Sequence, residues 1–561
     1  MNNSQIAGAF TMLSKLMDIH GENSFKSKTY SIAAYHIEKL PQPLAHTDRN
    51  KIAGIKGLGP SVAAKIAELL DTGNLNVLQE YVNNTPAGVI EMLKLKGLGP
   101  KKIHTIWKEM AIQSIGELEY ACNENRLTRY KGFGEKTQNN VLEAITFYNQ
   151  NTGHFLYAQV ENLYPVIENY LENLFGKEKV IGTGDYRQQR LTISELEFVV
   201  HETLNDIKPK FETAYPPELL EETEDTLLYK LNNGLRLRLL SETKNIYRKQ
   251  FITSASQEFL EGFFERWSKE DFDRSEPESE IEIFEKASLP FIQPCLRETK
   301  SIIESVQENG LPALIETTDI KGIIHNHSNW SDGANTIEEL ANELIKNNFE
   351  YLVISDHSKT AAYANGLSVE RIMEQHRYID ELNKKISPFK IFKSIESDIL
   401  NDGSLDYDDD VLKTFDLVIA SVHSNLYMNE YKAMMRLMKA IENRYTTILG
   451  HPTGRLLLSR NGYPIDYKKI IDACVANNVV IEINANPHRL DLDWKWITYA
   501  MHKNALLSID PDAHSIEGLY DIKYGVLASQ KGGLTPAHNL SSCSLFEFEK
   551  FLYERKKQKG L

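Results

Sequence analysis

Cysteine and long apolar runs are both scarce in this sequence of 561 residues. The four cysteines lie far apart and form no Cys-x-x-Cys pair, which excludes a cysteine-based zinc site and is typical of a reducing compartment. No apolar run approaches the roughly 18 residues that cross a bilayer. The opening segment, MNNSQIAGAF, lacks the basic and apolar parts of an export signal. We therefore expect a soluble cytoplasmic protein that does not bind membranes.

Positive charge is in deficit as well, because 63 lysines and arginines stand against 78 acidic residues and give a net charge of −15. This balance does not exclude a nucleic-acid ligand, since salt screens charges beyond about 10 Å and local lysine clusters decide binding. Carboxylates that bind metal ions would also make the chain acidic. The length exceeds what one hydrophobic core organises, so that about three or four domains are expected.

Three Gly-x-Gly motifs recur in the first 150 residues, each between two helical patterns. Glycine tolerates positive φ and a close backbone approach, and the helix that follows presents free N–H groups to a phosphate. One motif alone fits a glycine C-cap between ordinary helices equally well, but three copies with neighbouring lysines favour DNA binding. The candidate contacts are Gly57, Gly59, Gly97, Gly99, Lys101, Lys102, Gly132 and Gly134.

These motifs resemble helix-hairpin-helix elements, which hold the DNA backbone without reading its sequence. The upstream segment GENSFKSKTYSIAAYHIEKL (residues 21–40) resembles the opening helices of bacterial family X DNA polymerases, and the hairpins follow in the order found in that family. The resemblance implies an all-α DNA-binding domain over residues 1–150. It also implies that an α+β nucleotidyltransferase palm follows over residues 151–288.

The segment ISELEFVV (residues 193–200) has the alternation of a half-buried strand with Glu195 and Glu197 on one face. Two carboxylates at this spacing suit divalent metals beside a triphosphate, although a strand that shows its charges to water explains them too. In the family resemblance, Glu195 and Glu197 fall on the first two aspartates of the palm.

The palm segment departs from the family pattern at the positions that matter for nucleotide transfer. Asp185 stands where the family has serine, and Gln188 stands where it has the second arginine, after Arg187. The strand expected to carry the third carboxylate has Arg236 and Arg238 instead. A cation there repels Mg²⁺, and glutamate adds a methylene to a site that demands near-ideal octahedral geometry. We expect a palm that keeps its fold but not polymerase activity; an active gap-filling DNA polymerase is the alternative.

From residue 318 to 561, apolar bursts typical of buried strands alternate with amphipathic helical stretches. An acidic stretch at residues 270–286, expected to be exposed, and a proline-containing connector, assigned to residues 289–317, come before this region. The seven bursts are KGIIHNH, YLVISDH, FKIFKSIESDI, FDLVIASVHS, TTILGHP, VVIEINA and ALLSIDPDAH. The alternation predicts a distorted α/β barrel, in which chemistry takes place at the carboxyl ends of the strands.

Nearly every burst ends in histidine, aspartate or glutamate. A single histidine at a strand end is more often a hydrogen-bonded loop residue than a ligand, but nine such side chains on one rim are too costly to bury unpaired. Residues two apart on a strand point to the same side, so that His325 and His327, or Asp512 and His514, suit neighbouring metals. The predicted ligands are His325, His327, Asp332, His357, Glu396, His423, His451, Asp512 and His514.

This set resembles the metal ligands of the PHP (polymerase and histidinol phosphatase) domain. The resemblance implies three divalent metals and hydrolysis of phosphate esters. Zn²⁺ or Mn²⁺ suits mixed imidazole and carboxylate ligands, and Mg²⁺ is the alternative. A metal-activated water is the expected nucleophile, so that no further catalytic side chain is predicted. Arg455 is either a phosphate clamp or a surface arginine, and Asp356 is expected to orient a ligand or a strand end.

The whole chain thus resembles a bacterial family X DNA polymerase with a C-terminal PHP exonuclease domain. The leading hypothesis is a DNA repair enzyme that removes nucleotides from 3′ ends or trims 3′ lesions. It is expected to act as a monomer on gapped or 3′-ended duplex, in the cytoplasm at the nucleoid. The alternatives are a working polymerase, a small-molecule phosphatase of the histidinol phosphate type, and a non-catalytic DNA-end scaffold.

Overall fold

The computed structural model describes residues 1, 3–38, 40, 42–149, 153–214, 217–232 and 234–561, and it divides into two compact units. The first unit contains Met1–Cys122 and Leu127–Tyr148, and the second contains Asn123–Arg126 and Asn149–Leu561. The boundary predicted between residues 150 and 151 lies outside the described residues. The predicted palm, connector and C-terminal domains all belong to the second unit, and the limits between them stay predictions. Within the described ranges, no helix combines the length and apolarity needed to cross a membrane.

The first unit is helical, as predicted. The apolar faces of its helices form two cores, one that includes Phe10 and Ile37 and one that includes Ile103 and Leu118. The helices are α1 (Asn3–Ile19), α2 (Ser24–Glu38), α3 (Arg49–Ile52), α4 (Pro60–Thr72), α5 (Asn76–Asn83), α6 (Ala87–Glu91), α7 (Pro100–His104), α8 (Ile115–Asn123) and α9 (Glu135–Asn149).

The three Gly-x-Gly motifs connect successive helices of this unit and share one conformation. The first glycine is left-handed in each motif, with φ of +87° at Gly57, +84° at Gly97 and +92° at Gly132. The second glycine precedes α4, α7 or α9, and both glycines are exposed in every motif. Helices α4 and α7 begin with proline, which carries no N–H, so that the first N–H group of each belongs to its second residue. The residue between the two glycines is buried in each motif and anchors the turn. These buried residues are Leu58, Leu98 and Phe133.

The middle of the chain is an α+β region, as predicted. Its strands are β1 (Phe155–Leu156), β2 (Val180–Thr183), β3 (Thr192–Ile193), β4 (Glu195–Val200), β5 (Glu218–Glu222), β6 (Thr226–Lys230) and β7 (Arg236–Ser241). Its helices are α10 (Tyr157–Val160), α11 (Tyr164–Phe175), α12 (Gly184–Arg187), α13 (Leu204–Ala214), α14 (Ile246–Thr253), α15 (Gln257–Phe264), α16 (Lys269–Arg274), α17 (Glu280–Lys286) and α18 (Ser301–Asn309).

The main sheet of this region has the strand order β2-β4-β7-β6-β5. Strands β4 and β7 are parallel, and the other neighbours are antiparallel. Leu196 and Phe198 of β4 are buried in the core. Because side chains alternate along a strand, Glu195 and Glu197 lie on the opposite face, as the sequence predicts.

The acidic stretch 270–286 is not exposed throughout, which corrects the expectation from its composition. Glu280 is 6% exposed and forms ion pairs with Arg187 and Arg297. Arg297 is fully buried, and its guanidinium lies against the rings of Phe251 and Phe284. A buried cation requires a carboxylate partner, which explains why one glutamate of the run leaves the surface.

The C-terminal region contains eight strands, and every ladder between them is parallel, which confirms the predicted α/β class. The strands are β8 (Gly322–Asn326), β9 (Tyr351–Ile354), β10 (Lys390–Lys393), β11 (Glu396–Asp398), β12 (Val418–Ser421), β13 (Thr446–Leu449), β14 (Val480–Asn484) and β15 (Leu507–Asp510). The helices are α19 (Ile337–Lys346), α20 (Val369–Ile386), α21 (Asp409–Leu412), α22 (Glu430–Glu442), α23 (Tyr467–Ala476), α24 (Ile497–His502), α25 (Ile522–Lys531) and α26 (Leu545–Lys559).

These strands form two sheets, with the orders β10-β9-β8 and β11-β12-β13-β14-β15. Parallel bridges from His357 to Glu396 and from Asn326 to Ala513 connect the sheets on both sides, so that the strands surround one interior. The sequence predicts seven strands, and the structure has eight because the burst FKIFKSIESDI divides between residues 393 and 396. The division lets β10 pair with β9 while β11 pairs with β12.

Helix α26 covers the end of the barrel at which the strands begin. Its residues Phe548 and Leu552 belong to one apolar cluster with Tyr351, Leu417 and Val480, which lie at or next to the strand starts. The opposite end, where the strands finish, is therefore the end that carries the polar side chains.

Candidate metal centre

The nine predicted metal ligands meet at the end of the barrel where the strands finish. His325 lies in β8 and Glu396 in β11, and the others lie in the loops that follow β8, β9, β12, β13 and β15. Eight of the nine are buried, and His423, whose side chain is 10% exposed, is the remaining one. The structure thus brings together side chains that are separated by nearly two hundred positions in the sequence.

Their ligand atoms form three overlapping groups, in each of which the atoms lie within 4.8 Å of one another. His327 and His357 each belong to two groups, so that cations held in neighbouring groups would be close together. His451 contacts the third group, because its Nε2 lies 3.0 Å from Glu396. The groups are His327, Asp332, His357 and His514; His325, His327 and Asp512; and His357, Glu396 and His423.

Glu396 lies at the centre of the set. One of its carboxylate oxygens is 3.0 Å from Nε2 of His451, 3.1 Å from Nε2 of His423 and 3.2 Å from Nε2 of His325. The other oxygen is 3.0 Å from Nδ1 of His357. A carboxylate with neighbours on both oxygens is suited to bridge two cations.

The ionisation of these groups is mutually coupled. Burial disfavours the protonated ring of His325, but the carboxylates of Glu482 and Asp512 outweigh burial and raise its pKa well above the ordinary value. Burial and the ring of His514 lower the pKa of His327 to about 3, so that this imidazole is neutral. Neutral imidazole and charged carboxylate are the forms that bind metals, and a divalent cation at this site would take the place of the proton on His325.

The residues present fit a divalent metal cluster. Nδ1 of His327 and Nε2 of His514 are buried, and neither has a hydrogen-bond partner among the described residues. Unpartnered polar atoms inside a protein are costly and rare. Imidazole nitrogens and carboxylate oxygens in one small volume are the donor set that Zn²⁺ and Mn²⁺ prefer.

Three of the predicted ligands adopt backbone conformations that the sequence does not reveal. His325 has φ of +61°, Asp512 has φ of +54° and His451 has φ of +21°, on the positive side that favours glycine. Such conformations cost about 1–3 kcal/mol each and cluster at functional sites, where the surrounding structure enforces them. His325 and Asp512 also belong to the same group of ligand atoms, together with His327.

Two carboxylates that our sequence analysis does not single out hold these ligands from behind. Glu482 of β14 is fully buried; one of its oxygens pairs with Nδ1 of His325, and the other accepts the main-chain N–H of His451 at 2.5 Å. Asp398 of β11 lies 2.5 Å from Nδ1 of His423. A carboxylate on the second ring nitrogen fixes the tautomer and the ring orientation. An acid inside the apolar burst VVIEINA is the signal that could have identified Glu482.

Asp356 holds the loop that follows β8. It accepts hydrogen bonds from the N–H and the hydroxyl of Ser328, at 2.8 and 2.7 Å, and from Nε2 of Gln375 at 2.7 Å. Because this loop begins directly after His327, these bonds agree with the orienting role expected for Asp356.

Arg455 contacts protein groups through all three of its guanidinium nitrogens. Nε donates to the carbonyl of Arg489 at 2.9 Å, and the terminal nitrogens bind Asp493 and the carbonyl of Leu490. The side chain of Arg455 is thus held by protein groups and is only partly exposed. Its role as a phosphate clamp stays a prediction.

The palm face that carries the two glutamates is neutralised by an arginine. Arg238 of β7 binds Glu195 with two nitrogens, from Nε to Oε1 at 2.5 Å and from Nη2 to Oε2 at 3.2 Å. A bidentate pair of this kind is among the stronger charge-assisted contacts in proteins. Arg238, on the strand expected to carry the third carboxylate, therefore binds Glu195, which falls on the first carboxylate of the family pattern.

Glu197 occupies the glycine turn in which the family resemblance implies a phosphate. Its Oε2 accepts the main-chain N–H of Asp185 at 3.0 Å. Gly184 has φ of +68°, and a Cβ there would lie 1.5 Å from the same oxygen. Burial raises the pKa of Glu197 to about 7, against the opposing effect of the Asp185 N–H. The remaining arginine of the pattern, Arg187, is bound to Glu280 at 3.0 Å.

Fold and site together define a class: multidomain proteins that join helix-hairpin-helix elements to a PHP domain. Family models for a helix-hairpin-helix domain, a SAM-like helix-hairpin-helix tandem and a PHP domain match residues 1–75, 89–146 and 324–486. The chain is 32% identical to the DNA polymerase/3′-5′ exonuclease PolX of Bacillus subtilis (strain 168), over 98% of this chain and 99% of that protein. Within the class, the chain therefore belongs to the PolX family.

Two further similarities cover a smaller share of the chain. The chain is 29% identical to a probable phosphatase of Caldanaerobacter subterraneus subsp. tengcongensis, over 28% of this chain and 60% of that protein. It is 30% identical to a probable phosphatase of Thermoanaerobacter sp. (strain X514), over 28% of this chain and 62% of that protein.

Proposed function

We propose that the C-terminal domain hydrolyses phosphodiester bonds at the 3′ end of DNA with divalent metals. The observation that carries the proposal is the convergence of nine histidines and carboxylates, with Glu396 at their centre and eight of the nine buried. The name of the Bacillus subtilis relative, a DNA polymerase/3′-5′ exonuclease, supports DNA as the substrate. Domain limits of 151–288 for the palm, 289–317 for the connector and 318–561 for the hydrolase are part of this proposal.

Three cations, one in each group, are proposed, with Zn²⁺ or Mn²⁺ preferred over Mg²⁺. When bound, they supply Lewis acidity and lower the pKa of water, so that no side-chain nucleophile is needed. The protein keeps the ligands in position: Glu396 joins the groups at one point, and Glu482 and Asp398 orient His325 and His423. Asp356 keeps the loop beyond His327 closed.

The palm is proposed to have lost polymerase activity. Arg238 neutralises Glu195, and Glu197 fills the turn at Gly184. A magnesium site on this face would require both contacts to break. Because Mg²⁺ gives up its water ligands reluctantly, its binding is poorly suited to offset that cost.

The hairpin unit is proposed to bind the backbone of gapped or 3′-ended duplex DNA. Its support is the repeated left-handed glycine turn with an exposed helix start and the nearby Lys101. We further propose a monomer that acts in the cytoplasm at the nucleoid, which agrees with four cysteines that are all free thiols.

Degradation of a 3′-labelled gapped duplex with Mn²⁺ tests the hydrolase. We expect release of labelled mononucleotides by the wild type and a loss of at least about 100-fold for Asp512→Asn or His325→Ala, since each removes a ligand. Primer extension with the same duplex and dNTPs tests the palm. Extension that disappears on Glu195→Gln would instead identify a working polymerase, while unchanged degradation by the ligand variants would refute the hydrolytic site.

A small-molecule phosphatase is the second candidate, favoured by the identity of 29–30% to probable phosphatases over 28% of the chain. Comparison of kcat/KM for histidinol phosphate with kcat/KM for the gapped duplex separates the two. A higher value for the small ester would make the hairpin unit an accessory tether.

A further inference from the structure

We propose that Tyr427 and Tyr431 form a stacking surface for the bases of single-stranded DNA beside the metal centre. This inference rests on the proposed function, because it concerns how the strand to be cut is held. The surface is lined by Asn425, Tyr427, Met428, Asn429, Tyr431, Lys432 and Met435.

The position of this surface follows from the barrel. Residues 424–429 connect the ligand His423, just beyond β12, to the start of α22. In a barrel of parallel strands, the helix that follows a strand begins at the end where that strand finishes. The side chains of the connection and of the first turn of α22 therefore lie at the same end as the metal ligands.

The connection is anchored from inside the protein. Arg436 is fully buried and donates to the carbonyl of Ser424 at 3.0 Å and to that of Leu400 at 3.1 Å. Asn429 caps α22 by accepting the N–H of Lys432. The aromatic side chains are thus carried by a backbone that is fixed relative to His423.

The aromatic side chains themselves are unusually exposed. Tyr431 is 83% exposed, Tyr427 is 66% exposed and Met435 is 39% exposed. Tyr431 and Met435 are four residues apart in α22 and lie on one face of the helix. Large apolar side chains grouped in this way mark interaction sites.

The chemistry of the lining favours unpaired bases over other occupants. Ring faces stack on any base without sequence preference, and a nuclease that removes successive nucleotides requires this tolerance. Lys432 offers a cation to the backbone of the strand. Lys432 is the one charged side chain among the described residues that line this surface, and it faces the phosphates together with Glu430, which is exposed next to it in the first turn of α22.

The test compares Tyr427→Ala/Tyr431→Ala with Tyr427→Phe/Tyr431→Phe in the full chain. Tyr553→Ala is the matched control, because Tyr553 is 69% exposed but lies on α26, at the opposite end of the barrel. KM is measured with Mn²⁺ for a short oligothymidylate and for bis(p-nitrophenyl) phosphate, which has no base. We expect the alanine pair to raise KM for the oligonucleotide by about 5- to 100-fold. For the alanine pair, KM for the small ester should stay at the wild-type value. For the phenylalanine pair and the Tyr553→Ala control, KM for both substrates should stay at the wild-type values.

Equal oligonucleotide KM values for the alanine pair and the wild type would overturn the stacking surface while leaving the hydrolase intact. If the wild type cleaved neither the oligothymidylate nor bis(p-nitrophenyl) phosphate, the proposed function would be refuted. The surface is then judged by fluorescence anisotropy of the labelled oligothymidylate in EDTA, where weaker binding by the alanine pair supports it and equal binding overturns it. A wild-type dimer that the alanine pair converts to a monomer would identify the surface as a contact between copies and would also overturn the proposal.

Discussion

Replacement of Glu482 by glutamine tests the idea that the metal ligands depend on carboxylates behind them. Glu482 serves two ligands at once, because one oxygen pairs with Nδ1 of His325 and the other accepts the N–H of His451. Glutamine has nearly the same shape but only one accepting oxygen. One of the two donors must therefore lose its acceptor inside a fully buried site.

The size of the effect can be worked from that single lost bond. A buried donor left without an acceptor costs about 1–3 kcal/mol, and about 1.4 kcal/mol corresponds to a factor of ten in affinity. We expect Glu482→Gln to weaken Mn²⁺ binding by about 10- to 100-fold, the usual range for a group that orients a ligand. The metal-saturated rate should change much less, because Glu482 does not reach the substrate.

Two assays read this loss independently. The first is the Mn²⁺ concentration that half-activates cleavage of bis(p-nitrophenyl) phosphate. The second is thermal stabilisation: Mn²⁺ at 100 times the wild-type Kd adds about 2.7 kcal/mol to the wild type and only about 0.4–1.4 kcal/mol to the variant. Glu549→Gln, on α26 at the other end of the barrel, is the control. If Glu482→Gln required no more Mn²⁺ than this control, the supporting role of Glu482 would be wrong.

Three further predictions concern the palm region and its stability. Because the folded pKa of Glu197 is about 7 and the unfolded value is about 4.3, wild-type stability should fall as pH rises between these values. Urea unfolding should then find Glu197→Gln about 1–3 kcal/mol more stable than the wild type at pH 8, with the gain absent at pH 4; an equal gain at both would refute the assignment. Glu280→Gln should cost about 3–5 kcal/mol, since it leaves buried Arg297 without a full partner, whereas Glu282→Gln in the same helix should cost less than about 1 kcal/mol; similar melting temperatures for the two would count against the buried pair. Gly184→Ala should lower stability by about 1–3 kcal/mol through its positive φ and the clash with Glu197, with cleavage of 3′-labelled DNA unchanged as the control.

The sequence was sufficient for the parts of the fold that repeat a simple pattern. The Gly-x-Gly turns at Gly57, Gly97 and Gly132 are local, since a left-handed residue before a helix is encoded by the residue itself. The meeting of the predicted ligands could be anticipated because polar residues that end apolar bursts lie at one end of a parallel barrel. Their mutual distances required the structure, since Glu396 and His325 are far apart in the chain.

Features that depend on a partner distant in the sequence could not be predicted. Glu280 belongs to an acidic run and looks exposed until Arg297 is known to lie beside it. Glu482 is a single acid in the sequence of a strand, and only the structure reveals that it pairs with His325. The sequence shows that Arg238 lies on the strand where a third carboxylate is expected. Its pairing with Glu195 depends on the folded sheet and required the structure.

The central carboxylate of the barrel has a consequence for how the enzyme fills with metal. Since Glu396 contacts histidines that belong to different groups, an ion bound in one group would fix the Glu396 side chain in the position that ions in the other groups would need. Loading should be cooperative, with intermediate occupancies sparsely populated and a sigmoidal rise of activity with metal concentration. If the concentration of the ion in the cell fell, the activity of the protein would then be lost almost completely over a narrow range of concentration, instead of declining gradually.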